Sequence, residues 1–297
     1  MSSAAVAVLY SLATITCWGT VNVVIKNLTN TLGEKSTLYY RGMFSAISSC
    51  LLLLAFLNES TFNITYIFYG AFLATFSYIG FYYLVRGLTV GKVGIVVPLN
   101  SSARVFVSVL FGVLYFGDTL SMLEIIAIIG ILLGVLLYSL DLDSFKGTKF
   151  FSKKSGVLYA LLSSVIWGIV YPLFNLPSGI LGGVFLGFII EVVGFVCVVG
   201  QINLGGDASV PLRKLSTISK SNLHSLIFIG VASALGSLFL AQAYKTGDVN
   251  IVSAVTGASA LVSIFYAWVL NKEQLLFKEY IAAVLMVASV VILGYFG

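Results

Sequence analysis

Continuous apolar runs, each long enough to cross a membrane, are separated by short polar breaks along the whole chain. Within a run the apolar residues do not alternate with polar ones, as a half-buried strand or a barrel strand would require. A hydrocarbon layer about 30 Å thick takes about 20 helical residues to cross. Every backbone group in such a segment must also find its partner inside the segment. Ten helices are therefore predicted, at approximately 4–26, 36–57, 65–88, 93–116, 121–140, 156–175, 180–200, 223–245, 248–270 and 276–296. They consume roughly 200 positions of a 297-residue chain, which leaves no room for a soluble domain.

The pattern occurs twice. Trp18-Gly19 lies in a run that ends Val24-Ile25-Lys26, and Trp167-Gly168 lies in another that continues to Tyr171-Pro172. Gly91-Lys92-Val93 is echoed by Gly247-Asp248-Val249, and Gly117-Asp118-Thr119-Leu120 by Lys272-Glu273-Gln274-Leu275. An acid, Glu124 or Glu279, follows each copy of the last segment. The offsets are 149, 156 and 155 positions. Residues 1–140 thus form a first five-helix repeat, 141–155 a basic linker with four lysines, and 156–297 a second repeat. Five is odd, so the second copy enters the membrane from the opposite face. The expected fold class is all-α integral membrane, ten transmembrane helices as two inverted five-helix repeats. Such units place a solute site at the repeat interface and suit alternating access.

Charge sets an orientation. One face carries Lys26, Lys35, Arg41, Arg86, Lys92, Lys146, Lys149, Lys153, Lys154, Arg213, Lys214, Lys220, Lys272 and Lys278, against Lys245 alone on the other. Basic loops prefer the cytoplasm, so this bias puts both termini outside. The sequons at Asn58 and Asn63 fall in a loop on the terminal face. With 59% hydrophobic and 9% charged residues, the net charge of +5 belongs to loops beside anionic lipid, and no nucleic-acid partner is expected. Met1-Ser2-Ser3 lacks a basic start, so the first run reads as a retained span. Cys17, Cys50 and Cys197 lie in apolar runs without paired spacing, so no disulfide or metal site is expected and no cofactor.

Ionisable residues at membrane depth carry the candidate chemistry. Arg104 is mid-span in the fourth helix, on one face with Asn100 and Ser108. It reads either as a substrate-facing cation or as a cation locked in an ion pair that ties two helices. Glu191 is the one carboxylate deep in a span. Paired with Arg104 it would be a lock or gate, and apart from it a proton-coupling group; pairing is the expectation. Arg41, about 150 positions before Glu191, reads equally as a snorkelling anchor or as a residue at the cavity mouth. Lys26 and Lys35 read as interfacial anchors. Trp18 and Trp167 are either aromatic walls of the site or packing partners of glycine. Thr256, aligned with Asn100, is nominated for the cavity wall on a ninth helix rich in small residues, where Ala260 stands against Arg104. Asn22, Asn175, Tyr82, Tyr83, Gln242 and Tyr244 are further polar handles, with Asn22 and Gln242 taken as substrate contacts. His224, at the start of the eighth helix, reads as interfacial. There is no phosphate loop, nucleophile elbow or pair of buried acids, so an enzyme is not expected and any active transport must be secondary.

Trp-Gly in helices one and six, Lys26 closing helix one, Arg41, the Pro98-bearing helix four and Gly117-Asp118-Thr119-Leu120 together resemble the EamA-like family of the drug/metabolite transporter superfamily. The usual Gly-Glu before helix five reads Gly117-Asp118 in one half and Lys272-Glu273 in the other. The resemblance implies ten helices in inverted repeats and a cavity lined largely by helices one, three, four, six, eight and nine. It further implies transport of small solutes, often outward, and both termini in the cytoplasm, against the charge bias. Arg104 and Glu191 are not part of that family pattern. The function expected is secondary transport of a small polar or anionic metabolite in the cell membrane, by a monomer or homodimer, with proton coupling through Glu191 as a lesser expectation. The alternatives are a membrane-embedded lipid-handling enzyme and a non-transporting sensor.

Overall fold

The computed structural model describes residues 2–91, 93–139, 156–204, 212–259, 261–262, 265 and 276–296. Among the described residues the chain is helical, with no strand. The helices are α1 (Ser3–Leu32), α2 (Glu34–Ala55), α3 (Ile64–Val90), α4 (Val93–Phe111), α5 (Met122–Ser139), α6 (Val157–Leu173), α7 (Asn175–Leu181), α8 (Gly183–Leu204), α9 (Lys220–Thr246), α10 (Val249–Gly257) and α11 (Phe277–Phe296). Among the described residues seven segments are long and apolar enough to cross a membrane, with α6 and α7 counted as one. Two shorter apolar helices stand at the predicted fifth and tenth spans, and α10 begins the ninth. The basic linker 141–155 and Lys272-Glu273 lie outside the described residues.

Several boundaries differ from the sequence reading. The sixth span does not stop near 175 but continues through Pro177 to Leu181. Pro177 is the third residue of α7, where a missing N–H breaks no helical bond. Gly33 (φ 84°) and Gly182 (φ 83°) then make single-residue turns into α2 and α8, a backbone region open to glycine. Ser2, Asn63 and Ser219 cap α1, α3 and α9 by accepting from the backbone N–H three residues on.

Packing repeats across the two halves. Helix α1 runs along α9 as α6 runs along α3, α2 touches α9 as α8 touches α3, and α4 packs on α6 as α10 packs on α1. Each of α2–α8, α4–α10 and α5–α11 joins a helix to its own counterpart. Single residues obey the same exchange. Trp18 lies against Gly236 and Trp167 against Gly80, where a Cβ would meet the Trp167 indole nitrogen at 2.7 Å. Gly19 abuts Val262 as Gly168 abuts Val107. Tyr10 stacks on Phe239 as Tyr159 does on Tyr83. The Lys26 Nζ donates to the carbonyls of Leu88 (2.6 Å) and Gly91 (2.8 Å), closing the C-terminus of α3. Asn175 does the same for α9 without a charge, donating to the Tyr244 carbonyl at 2.9 Å.

The ends of the bundle pair unlike connections. The segment before α9 meets the start of α2 through Arg213 N–H to Ser36 Oγ (3.2 Å) and Tyr40 OH to the Arg213 carbonyl (2.6 Å). At the other end Thr61 N–H, before α3, donates to the Leu181 carbonyl at 3.0 Å. Large apolar side chains such as Leu51, Phe68, Leu114 and Val284 face outward, while Thr14, Ser45, Ser163 and Ser233 are buried. Lipid tails are as apolar as leucine, so small residues that permit close approach join the buried leucines on the inside.

The Trp–Gly contacts predict an asymmetric response to one added methyl. Gly80→Ala and Gly236→Ala should each destabilise the protein by about 1–3 kcal/mol through overpacking. Gly200→Ala, where no atom of the described residues lies within 4 Å, should be neutral or slightly stabilising. Thermal unfolding of the purified variants reads the difference; equal melting temperatures for all three would refute it.

Candidate functional site

A cavity of about 80 Å³ lies between the halves, room for a few waters. Trp18 and Asn22 enter it from α1, Arg41 from α2, Asn100 and Arg104 from α4, Trp167 from α6, Glu191 from α8 and Thr256 from α10. Helices α2 and α8, the second and seventh spans, are outside the set that the family resemblance implied. They bring a charged residue each.

Arg104 is buried. One nitrogen, Nη2, donates to the Thr256 carbonyl at 2.8 Å, and the guanidinium stands 5.4 Å from the centre of the Tyr171 ring, within cation–π range. Among the described residues no carboxylate lies within ion-pair distance of it. The expected Arg104–Glu191 pair is therefore corrected. Glu191 pairs with Arg41, Oε2 to Nη2 at 3.3 Å. Ser45 and Ser237 donate to its two carboxylate oxygens. Arg41 Nε in turn donates to Ser233 Oγ at 3.0 Å, with the guanidinium 4.5 Å over Phe81. Arg41 is no snorkelling anchor. Because α2 starts at Glu34 directly after the Gly33 turn, Arg41 stands about two turns inside the helix.

Asn100 ties α4 to α6, donating to the Ala160 carbonyl and Ser164 Oγ, each at 3.2 Å. The Thr256 hydroxyl turns back to the Ser253 carbonyl (3.1 Å), so its backbone rather than its side chain meets Arg104. Trp18 and Trp167 both wall the cavity and pack on glycine, with Tyr171 between them at 5.7 and 5.3 Å. The Trp167 indole N–H donates to the Ser77 carbonyl at 2.9 Å. Gln242 does not reach the cavity; it lies against Gly183 at the start of α8.

Tyr171, Ser77, Ser233, Ser237 and Ser259 also line the cavity and were missed. A signal existed for some of them. Ser77-x-x-Gly80 recurs as Ser233-x-x-Gly236 at the 156 offset, and Tyr171 follows Trp167 by four. Away from the cavity, Asp118 accepts from Asn250 Nδ2 at 2.8 Å. Burial, and then the neighbouring Asp248 carboxylate, raise its pKa above the ordinary aspartate value.

Packing also corrects the register of the halves. The turn glycines 33 and 182 set an offset of 149 in α2 and α8, matching Arg41 to Ile190 and Gly42 to Glu191. The pairs Gly19–Val262 and Gly168–Val107 set 155 in α4 and α10, matching Arg104 to Ser259. Ala260, its expected counterpart, lies outside the described residues. The contact Ser101 Oγ to Ser259 Oγ (2.7 Å) is then the exchange mate of Thr256 to Arg104. All three cavity charges occupy positions whose counterparts are uncharged.

If Arg41 and Glu191 act as one unit, removing either charge leaves the other buried and unpaired. Arg41→Gln and Glu191→Gln should each cost about 3–5 kcal/mol, and the double variant clearly less than their sum. A thermal-unfolding cycle tests this, and additive losses would dismiss the pair.

Comparison with known proteins agrees with this architecture. The sequence profile of the EamA-like transporter family matches residues 5–140 and again 154–295. A solved crystal structure superposes with a TM-score of 0.74 at 16% identity, covering 96% of this chain and 95% of that one, a likeness of fold alone. No curated protein matches the chain in sequence.

Proposed function

The chain belongs to the EamA-like transporter family, and we propose that it is a secondary transporter of a small polar or anionic metabolite. Amino acids, sugars and related solutes are the class, moved across the cell membrane by alternating access as an exporter or exchanger. One observation carries the anionic reading: Arg104 is buried at the cavity wall with only neutral partners, the Thr256 carbonyl and Tyr171, and no counter-ion among the described residues. A guanidinium has five N–H donors, and an unpaired charge in a low-dielectric bundle is costly. A carboxylate or phosphate-like group on the substrate satisfies both. Two arginines against one glutamate leave the cavity one positive charge, which suits a monoanion. The Trp18–Tyr171–Trp167 wall offers flat apolar faces to the rest of the solute.

Ten spans in two inverted halves complete the reading. Inversion is supported by the end contacts, since the start of α2 meets the segment ahead of α9, and the segment ahead of α3 meets the end of α7, just before α8. The basic face is assigned to the cytoplasm on the charge bias. Glu191 is assigned to a lock between α2 and α8, since its carboxylate already has Arg41 and two serines.

Arg104→Ala should reduce transport by about 10–100-fold, the worth of a charge-assisted contact, while the protein still inserts and purifies. Arg104→Lys should retain part of the activity. Proteoliposome flux with candidate metabolites, chosen by thermal stabilisation of the parent, is the measurement. Normal flux by Arg104→Ala would remove that residue from the mechanism. If a proton enters the cycle, it does so at Glu191. Glu191→Gln should then flatten the pH dependence of net flux while exchange persists, and an unchanged pH profile would exclude that role.

A further inference from the structure

The two halves match closely enough that one place where their backbones differ can be read directly. In the second half α8 packs along α9, whereas in the first half the equivalent α2 and α3 are splayed apart. The residues responsible are exchange mates. Gly183 faces Gln242, where a Cβ would meet the Gln242 backbone nitrogen at 2.7 Å; Gly187 faces Leu238, where a Cβ would meet its Cα at 2.9 Å. At the matching positions of the first half stand Glu34 opposite Arg86 and Leu38 opposite Tyr82. Glu34 and Arg86 reach each other only by their side-chain tips, at 3.4 Å. Bulk in place of glycine keeps α2 off α3, and the gap is a groove of about 740 Å³.

That groove lies at the basic face and reaches inward to Tyr78, which also lines the central cavity. The Tyr78 hydroxyl donates to Gln201 on α8. Tyr78 is thus the residue common to the groove and cavity walls, and a hydrogen bond to Gln201 holds it. Toward the opposite face the corresponding path is shut by backbone contact between α8 and α9.

We propose that the protein has two gates of different construction. Gly183 and Gly187 against Gln242 and Leu238 form a backbone seal toward the N-terminal face, and Tyr78 with Gln201 forms a side-chain gate toward the basic face. The seal is tight because glycines allow helix axes to approach, so opening it takes a movement of α8 away from α9. The side-chain gate opens by a rotamer change of Tyr78 with loss of one hydrogen bond. Glu34, Arg86, Leu38 and Tyr82 prevent the first half from forming an equally tight seal. The resting protein therefore presents its cavity to the basic face. This rests on the alternating-access reading of transport but not on the identity of the substrate.

The test is sided labelling of a cavity cysteine without any substrate. Cys17, Cys50 and Cys197 are first replaced by alanine, and Ala74, which lines the cavity, is changed to cysteine. A membrane-impermeant thiol reagent is then applied to either face of oriented vesicles. The parent should react from the basic face. Tyr78→Ala should speed that reaction about tenfold or more, with none from the other face. Gly187→Leu should prevent the seal from closing, shifting the open populations about tenfold or more and moving reactivity to the N-terminal face. Gly183→Ala, a single methyl, should move it the same way if the larger change fails to fold, and Gly200→Leu should not. Unchanged sidedness in both folded glycine variants, or no effect of Tyr78→Ala, would overturn the proposal. Loss of flux in Arg104→Ala bears on substrate binding alone and leaves these labelling results standing, so the two readings fail separately.

Discussion

Close backbone approach between the halves is the contact on which the remaining architecture depends. In hydrocarbon a leucine gains nothing by turning inward, so cohesion comes from helices near enough for dispersion and short hydrogen bonds. The indoles of Trp18 and Trp167 reach Gly236 and Gly80 across the interface. That pair of contacts fixes α1 on α9 and α6 on α3, which in turn sets how far apart the cavity walls stand. The tryptophans are thus wall and clamp at once, because each both packs on a glycine and lines the cavity. The two readings that the sequence left open for them are one structural role.

Symmetry gives the frame and asymmetry the chemistry. A cavity on a pseudo-twofold axis would present two copies of every group, and two buried copies of one charge repel. Charge at such a site survives only where the repeat is broken. Arg104 faces a half in which Ser259 stands in its place, and Glu191 and Arg41 match Gly42 and Ile190. Breaking the repeat lets a cation and an anion meet across α2 and α8, where matched residues would have met their own kind. The same logic holds at the ends of the bundle, where Lys26 closes α3 with a charge and Asn175 closes α9 without one.

Much of this was legible beforehand, and the failures are instructive. Continuous apolar runs, the doubled Trp-Gly and the lone midplane Arg104 and Glu191 are visible because membrane depth punishes every other placement of a charge. The partner of Glu191 was not visible. It depended on α2 beginning at Glu34, which pushes Arg41 two turns into the helix, and a sequence fixes helix starts only to a few residues. A register error of one position turns a helical side chain by about 100°, enough to assign the wrong counterpart to both arginines. Gln242 looked polar and deep, but its neighbour Gly183 removes the space into which it would have pointed. The serines were overlooked for a different reason. Singly they are common in membrane helices, and only the second copy of Ser-x-x-Gly marks them.

The two arginines of the cavity differ in how fully they are satisfied, and that difference divides their work. Arg41 has a carboxylate, a serine hydroxyl and an aromatic face, and its carboxylate partner has two hydroxyl donors besides. A solute would have to outbid all of these to capture it. Arg104 has only neutral partners among the described residues, the Thr256 carbonyl and Tyr171, so a solute anion displaces no charged partner. Binding energy is available where compensation is incomplete, and rigidity where it is complete. The paired charge therefore suits a joint between α2 and α8, and the unpaired one would suit a solute anion, whose arrival would complete it.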